Sequence, residues 1–285
     1  MDTTLVEPGR RPLAPRPLPI GPIGPGLSRA IGPGPQPRRA IAPNATLVAR
    51  VDLTASIARF CVRPDAGVPL FEPGQYFALG LEVEGRFLQR PYSTASAAGA
   101  ADELEFLVRR VPSGTFTPHL WEMAPDARIW IGPPRGLFTL QPGDERTHLF
   151  VSSGTGLAPF ISMTEAVLRS RPGQSVVVLH GASYASELAY RDQLETWAAD
   201  GRITYVPTIS RPADPANASW IGYTGRSEAI LAGVCHRFRL DPLGTVAYLC
   251  GNPDMIDAAA TVLAGLGFPE TAIVREHYWT APEAR

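Results

Sequence analysis

The sequence predicts a β plus α/β protein of two domains, an antiparallel Greek-key β-barrel followed by a parallel-sheet α/β domain. Three observations carry that reading. A proline- and glycine-rich opening segment belongs to neither domain. From Ala45 to about Leu140 the apolar residues come in short runs broken by turn residues. From about Thr147 buried-strand runs alternate with helical stretches, the pattern of βαβ units. The expected ranges are 1–44 for the tail, 45–142 for the barrel, 143–279 for the α/β domain and 280–285 for a short extension.

Composition bounds the answer further. With 285 residues, 45% of them hydrophobic, the chain is long enough for two cores. A formal net charge of −1 argues against a nucleic-acid binder, which needs a basic surface to displace counterions. No uninterrupted apolar run reaches the roughly 18 residues of a membrane-spanning helix, so no membrane partner is expected. The three cysteines, Cys61, Cys235 and Cys250, form no CxxC pair and fall short of the four thiolates of an ordinary iron–sulfur cluster. They suggest no disulfide framework either, and a cytoplasmic, reducing setting is the expectation. All 26 cationic residues are arginine, which removes lysine Schiff-base chemistry and a P-loop lysine together.

Residues 1–44 hold eleven prolines, six glycines and six arginines against Asp2 and Glu7. Proline lacks the N–H and glycine loses the most entropy on ordering, so neither helix nor sheet ladder is expected. The segment reads as a basic, disordered extension, with polyproline docking as the alternative.

In the barrel, residues 46–51, 56–62, 75–81 and 103–108 read as strands, with turns at Pro73-Gly74, Glu84-Gly85 and Ser113-Gly114. A helix is expected after Gly114, with Thr117 as its N-cap and Pro118 at its first position. In the second half, strands are expected over 148–152, 175–180, 203–206 and 245–250, with helices over 158–169 and near 186–198. In such sheets ligands lie at the carboxyl ends of the strands.

Five short stretches bear on chemistry. Arg90-Pro91-Tyr92-Ser93 offers a planar guanidinium fork for phosphate, a rigid stacking face and a hydroxyl, although a half-buried strand end needs no ligand. Gly114-Thr115-Phe116-Thr117 opens a helix whose free N–H groups attract a phosphate, or simply caps it. Gly154-Thr155-Gly156-Leu157-Ala158-Pro159 lets backbone N–H groups approach an anion after a strand. Pro159 stands where a dinucleotide fingerprint places its last glycine. Cys250-Gly251-Asn252-Pro253 puts a thiol at a strand's carboxyl end, either facing the crevice or buried and inert. Arg275-Glu276-His277-Tyr278-Trp279 carries two adjacent aromatics that either cover something flat or dock on the core.

The order and spacing of these stretches resemble the ferredoxin–NADP(+) reductase family, nearest its bacterial type, from about residue 45 to Trp279. Further matching stretches are Pro73-Gly74-Gln75, Gly132-Pro133 through Gly136-Leu137-Phe138, His180-Gly181, Ser210-Arg211 and Gly225-Arg226. The resemblance implies that the barrel binds FAD and the α/β domain binds NADPH, with NADH as a second possibility. Arg90 then contacts the flavin pyrophosphate, Tyr92 packs on the isoalloxazine and Ser93 lies near its N5. Pro91, Leu107, Val108, Arg109, Thr115, Phe116 and Thr117 are further FAD contacts. Thr155 falls between flavin and nicotinamide, and Tyr278 and Trp279 cover the flavin ring or its adenine. Gly154, Gly156, Ala182, Ser183, Ser210, Arg211 and Arg226 belong to the NADPH side, with Ser210, Arg211 and Arg226 on the 2′-phosphate. Cys250, Gly251 and Asn252 lie beside the nicotinamide. The implied catalytic group is Tyr92, Ser93, Cys250 and Glu276, without a metal. Glu276 reads either as a proton handler or as a solvated terminal carboxylate, and the solvated reading is preferred.

The implied reaction takes a hydride from NADPH to the flavin and passes single electrons to a ferredoxin or flavodoxin. The cofactor carries the chemistry and the protein supplies positioning. Arg109, Arg110 and Arg135 are candidates for a basic docking rim, with ordinary solvated surface arginines as the preferred reading, and a monomer is expected. Two features depart from the family pattern. Ser183 stands where the bacterial type has an arginine for the 2′-phosphate, and residues 280–285 extend past Trp279. The rival readings are a stand-alone flavin or oxygenase reductase on the same scaffold, and a non-enzymatic nucleotide-binding protein.

Overall fold

A computed structural model describes residues 41–99, 102–171 and 173–277 of the chain. The sequence expectations for the opening segment through residue 40, for Tyr278 and Trp279, and for the extension over 280–285 lie outside the described residues.

The first half is built from β1 (Ala45–Thr54), β2 (Ile57–Pro64), β3 (Tyr76–Val83), β4 (Arg86–Ser93), β5 (Leu104–Arg109) and β6 (Arg128–Ile131), with the short helix α1 (Thr117–Glu122) between the last two strands. Their order in the sheet is β4-β3-β6-β1-β2-β5, all pairs antiparallel. A bridge between Thr94, just past β4, and Phe106 of β5 joins the two ends into a barrel. Period-2 alternation sorts the side chains. In β2, Ala58, Phe60 and Val62 enter the barrel core, where Phe77, Leu79, Phe106, Val108 and Leu120 meet them. Arg59 and Cys61 point the other way and are only partly buried.

The second half comprises β7 (Thr147–Ser153), α2 (Ala158–Ser170), β8 (Val176–Ala182), α3 (Arg191–Ala199), β9 (Thr204–Ile209), β10 (Tyr223–Thr224), α4 (Ser227–Arg237), β11 (Thr245–Gly251), α5 (Pro253–Gly265) and β12 (Ile273–His277). The sheet order is β10-β9-β8-β7-β11-β12, every pair parallel. β7, β8 and β11 are buried almost throughout, as strands covered on both faces must be. Phe160, Leu194 and Trp197 from α2 and α3 pack with Phe150 and Val178 on one face. Leu231, Val234, Ile256 and Leu263 from α4 and α5 pack with Leu149 and Val151 on the other. The chain winds outward from β7 through β10 and then returns to the far side of β7 as β11, so the crevice opens at the carboxyl ends of β7 and β11.

The first of these two cores is not confined to the second half. Ile57, Ala95, Leu107 and Phe138 of the first half belong to it, packed with Leu157, Phe160 and Ala189. Among the described residues no helix is long and apolar enough to cross a membrane.

Two local expectations are corrected. Thr117 does not cap α1; it is the helix's first residue, and Phe116 holds the cap position without a side-chain bond. The Thr117 hydroxyl instead accepts the Val111 N–H at 2.8 Å and donates to the Val111 carbonyl at 3.2 Å, tying off the preceding turn. The helix expected near Ser186 begins only at Arg191, because a 3-10 turn at Ala185–Glu187 and a left-handed Tyr190 (φ 56°) interrupt it.

Candidate active site at the junction of the two halves

On the barrel side, β4 delivers Arg90, Pro91, Tyr92 and Ser93. Arg90 is exposed, and its Nη2 donates to the Thr115 hydroxyl at 3.0 Å, so two groups read from separate motifs share one surface. Tyr92 is partly buried, with its ring 6.1 Å from that of Phe116 and tilted by 35°. Burial holds its phenol above the ordinary tyrosine range. Leu107 and Val108 turn their side chains into the two cores, Phe116 is buried in the barrel, and Thr117 is committed to Val111. The side chains of Leu107, Val108 and Phe116 are thus spent on packing.

On the sheet side, Gly154-Thr155-Gly156-Leu157 forms a 3-10 turn between β7 and α2. Gly154 has φ +55°, which favours glycine. Gly156 is required for a different reason. A Cβ there would lie 2.4 Å from the Cys250 carbonyl oxygen and 2.5 Å from the Gly251 Cα, so only glycine lets this turn close on the end of β11. Gly251 presses on Ser153 in the same way, and the Asn252 N–H donates to the Ser153 hydroxyl at 2.9 Å. The Asn252 side chain caps α5, accepting from the Asp254 and Met255 N–H groups. Its main-chain carbonyl also accepts the Ile256 N–H, so Asn252 serves the helix and the turn that precedes it.

The two sides meet at Glu276. In the parallel pair of β11 and β12 it stands opposite Cys250. The Ser93 hydroxyl donates to Glu276 Oε2 at 3.2 Å and the Cys250 thiol points at the same oxygen from 3.9 Å. Three strands from both halves thus converge on one carboxylate. Burial raises the Glu276 carboxyl from 4.5 to about 7, while the bonds from Ser93 and Cys250 pull against that rise. The expectation of a solvated terminal carboxylate is overturned, because β12 sets Glu276 beside Cys250 of β11 and its carboxylate accepts from Ser93. Cys250 is fully buried and still directed at Glu276, so neither of its two sequence readings was complete.

At the sheet's other side, the Ser210 N–H donates to the Ala182 carbonyl and the Gly225 N–H to the Ile209 carbonyl. The carboxyl ends of β8, β9 and β10 therefore set Ser183, Ser210, Arg211 and Arg226 side by side. Arg211 stacks over the Tyr184 ring at 5.4 Å and donates to its hydroxyl at 2.9 Å. Arg226 remains exposed, 4.0 Å from Glu228. Tyr184 and Asp214, which accepts from its hydroxyl, stand outside every motif that the sequence offers.

Arg109 is a correction. Its Nη1 pairs with Glu187 Oε1 of the second half at 3.2 Å, so it belongs to the junction and not to a free basic rim. Glu187 is nearly buried, and no local pattern flags it as the partner of a residue 78 positions away. Arg110 and Arg135 are exposed.

Comparison with known proteins agrees with this division. The oxidoreductase FAD-binding domain model matches residues 44–140 and the oxidoreductase NAD-binding domain model matches residues 150–261. Ferredoxin–NADP reductase B of Sorangium cellulosum (strain So ce56) is 34% identical over 225 residues, 76% of this chain and 88% of that protein. The reductase component of propane 2-monooxygenase from Mycolicibacterium goodii is 28% identical over 74% of this chain, which spans 60% of that protein's length. A crystal structure of a ferredoxin NADP+ reductase from Neisseria gonorrhoeae with bound FAD and NADP has the same fold, with a TM-score of 0.72 at 24% identity over 83% of this chain and 98% of that one. Barrel and crevice together define an oxidoreductase with an FAD-binding and an NAD-binding domain. The chain belongs to the ferredoxin–NADP reductase family.

The residues present fit FAD on the barrel. Arg90 and Thr115 offer a guanidinium and a hydroxyl together, and Tyr92 and Ser93 follow on the same strand. Gly156 lets the turn after β7 pack directly on Cys250 and Gly251 at the end of β11.

Proposed function

We propose that this chain moves electrons from NADPH, through FAD, to a one-electron carrier, a ferredoxin or flavodoxin. The observation that carries the reading is the convergence of Ser93, Cys250 and Glu276 from three strands at the barrel–crevice junction. When bound, the flavin accepts an electron pair from a nicotinamide and releases electrons singly. The chain's own residues do the rest. Arg90 with Thr115 holds phosphate, Tyr92 supplies a rigid stacking face, and Ser93 hydrogen-bonds at the ring edge. Glu276, with its carboxyl near neutrality, holds or releases a proton through Ser93 Oγ. Arg211, pre-set on Tyr184, and Arg226 take the 2′-phosphate of NADPH.

Stopped-flow reduction of the flavin by NADPH and by NADH, followed by addition of ferredoxin or flavodoxin, tests the reading. Rapid bleaching by NADPH and reoxidation by either carrier is expected. Reoxidation by free flavin alone would favour a stand-alone flavin reductase. For the nucleotide preference, one charge-assisted arginine contact is worth about 1.5–3 kcal/mol, or roughly 10- to 150-fold. Arg211→Ala should lower kcat/KM for NADPH by that factor and leave NADH nearly unchanged. Comparable losses with both nucleotides would remove Arg211 from 2′-phosphate recognition. Ser183 supplies no charge at this site, so discrimination against NADH should be weaker than with an arginine at that position.

A further inference from the structure

The outer face of β5 carries Glu105, Leu107 and Arg109 in period-2 alternation, and all three reach the same stretch of the second half. Arg109 pairs with Glu187, whose other oxygen accepts the Ser183 N–H at 3.2 Å. Leu107 packs in the core that contains Ala189. Glu105 accepts from the Tyr190 hydroxyl. Around that last bond, Arg59 of β2 lies over the Tyr190 ring at 5.5 Å and 3.7 Å from Glu105, and the Cys61 thiol donates to Glu105 at 3.6 Å. Tyr190 makes these contacts from a left-handed backbone, a conformation that a bulky aromatic adopts only where its surroundings hold it. The held stretch begins at Ser183, directly beyond the end of β8 at the crevice.

We propose that β5 and residues 183–190 form a positioning clamp, in which Glu105–Tyr190 and Arg109–Glu187 fix the nucleotide crevice against the barrel at the separation that ring-to-ring transfer requires. This rests on the functional reading above and goes beyond it. Tyr190 and Glu105 belong to none of the cofactor-binding stretches; they act through the segment that joins the crevice to the barrel. The two polar links flank an apolar contact, so the halves are held in one register and do not slide.

The test uses the FAD-loaded protein and Tyr190→Phe, which removes one hydroxyl and keeps the ring under Arg59. Flavin content should match the wild type. The limiting rate of flavin reduction at saturating NADPH should fall about 10- to 100-fold, the cost of a displacement near 1 Å, with the apparent Kd for NADPH within about two-fold. Glu105→Gln, which keeps an acceptor for the hydroxyl, should retain most of the rate. Tyr190→Phe combined with Glu105→Ala should be no slower than the worse single variant. A limiting rate unchanged in Tyr190→Phe, or additive losses in the double variant, would overturn the proposal. Hydrogen exchange decides the clamp independently of turnover. Faster exchange across 183–190 and along β5 in Tyr190→Phe supports it, and unchanged exchange overturns it. A wild-type flavin that neither nucleotide bleaches would instead defeat the functional reading.

Discussion

Glu276 shows how a residue's surroundings can move its titration toward neutrality. Its folded carboxyl titrates near 7 and its unfolded one near 4.5. Below both values the two states bind the same proton and the group contributes nothing. As pH rises between them the unfolded chain releases its proton first, so the folded state is destabilised progressively and the penalty levels off above about 7. Glu276→Gln cannot ionise. Its stability relative to the wild type should therefore increase from pH 5 to pH 8 in denaturant titrations. The variant should also lose the limb near neutrality in the pH profile of flavin reduction. A stability difference that is the same at both pH values would mean that Glu276 is ionised throughout.

At the scale of elements, the junction between β11 and α5 depends on two small features. Asn252 Oδ1 satisfies two N–H groups of the first turn of α5, and losing such a cap costs about 0.5–2 kcal/mol. Asn252→Ala should lower stability by that amount, read from denaturant midpoints, while Asn252→Asp retains it. Gly156→Ala should do more harm. The added Cβ meets main-chain atoms of Cys250 and Gly251, which cannot rotate away, so the turn after β7 must part from β11. A loss of about 1–3 kcal/mol and a weakened response to NADPH are expected, measured by thermal unfolding and by titration of flavin absorbance. These elements also mark how far the sequence could be read. Long apolar runs such as that over 176–179 announce buried parallel strands, and short alternating ones announce the barrel. β6 spans four residues, too few to show alternation, and β12 is half-exposed. The site follows the same division. The glycine turn over 154–156 and the segment from Cys250 to Asn252 lie at the ends of strands that the sequence shows, whereas Arg90–Ser93 and Glu276 lie on β4 and β12, which it does not. The pairings Arg109–Glu187 and Tyr190–Glu105 join residues 78 and 85 positions apart, and local periodicity carries no signal for them. Glu276 reads as solvated from sequence because nearness to a chain end says nothing about which strand lies alongside.

For the whole molecule, the decisive feature is that the core under α2 and α3 continues into the barrel. The described residues of both halves fall in one compact unit. Ile57, Ala95, Leu107 and Phe138 share one buried cluster with side chains of the second half. The connection between the halves is pinned as well. Arg171 and Gln174 donate to the Asp144 carbonyl, Arg146 is paired with Asp144, and the Gln141 N–H donates to the Tyr248 hydroxyl. Unfolding the barrel alone would strand those apolar side chains in water, and unfolding the α/β half alone would do the same. The two should therefore melt together, in one calorimetric transition whose van 't Hoff and calorimetric enthalpies agree. Leu107→Ala gives the sharper form of the prediction. Leu107 belongs to a barrel strand by sequence and to the second half's core by packing, and truncating it should cost about 2–5 kcal/mol. That loss should shift the single transition as a whole, with FAD release and loss of helical signal moving by the same amount. Two separated transitions in the variant, with only the barrel's moving, would show that the core divides at the junction.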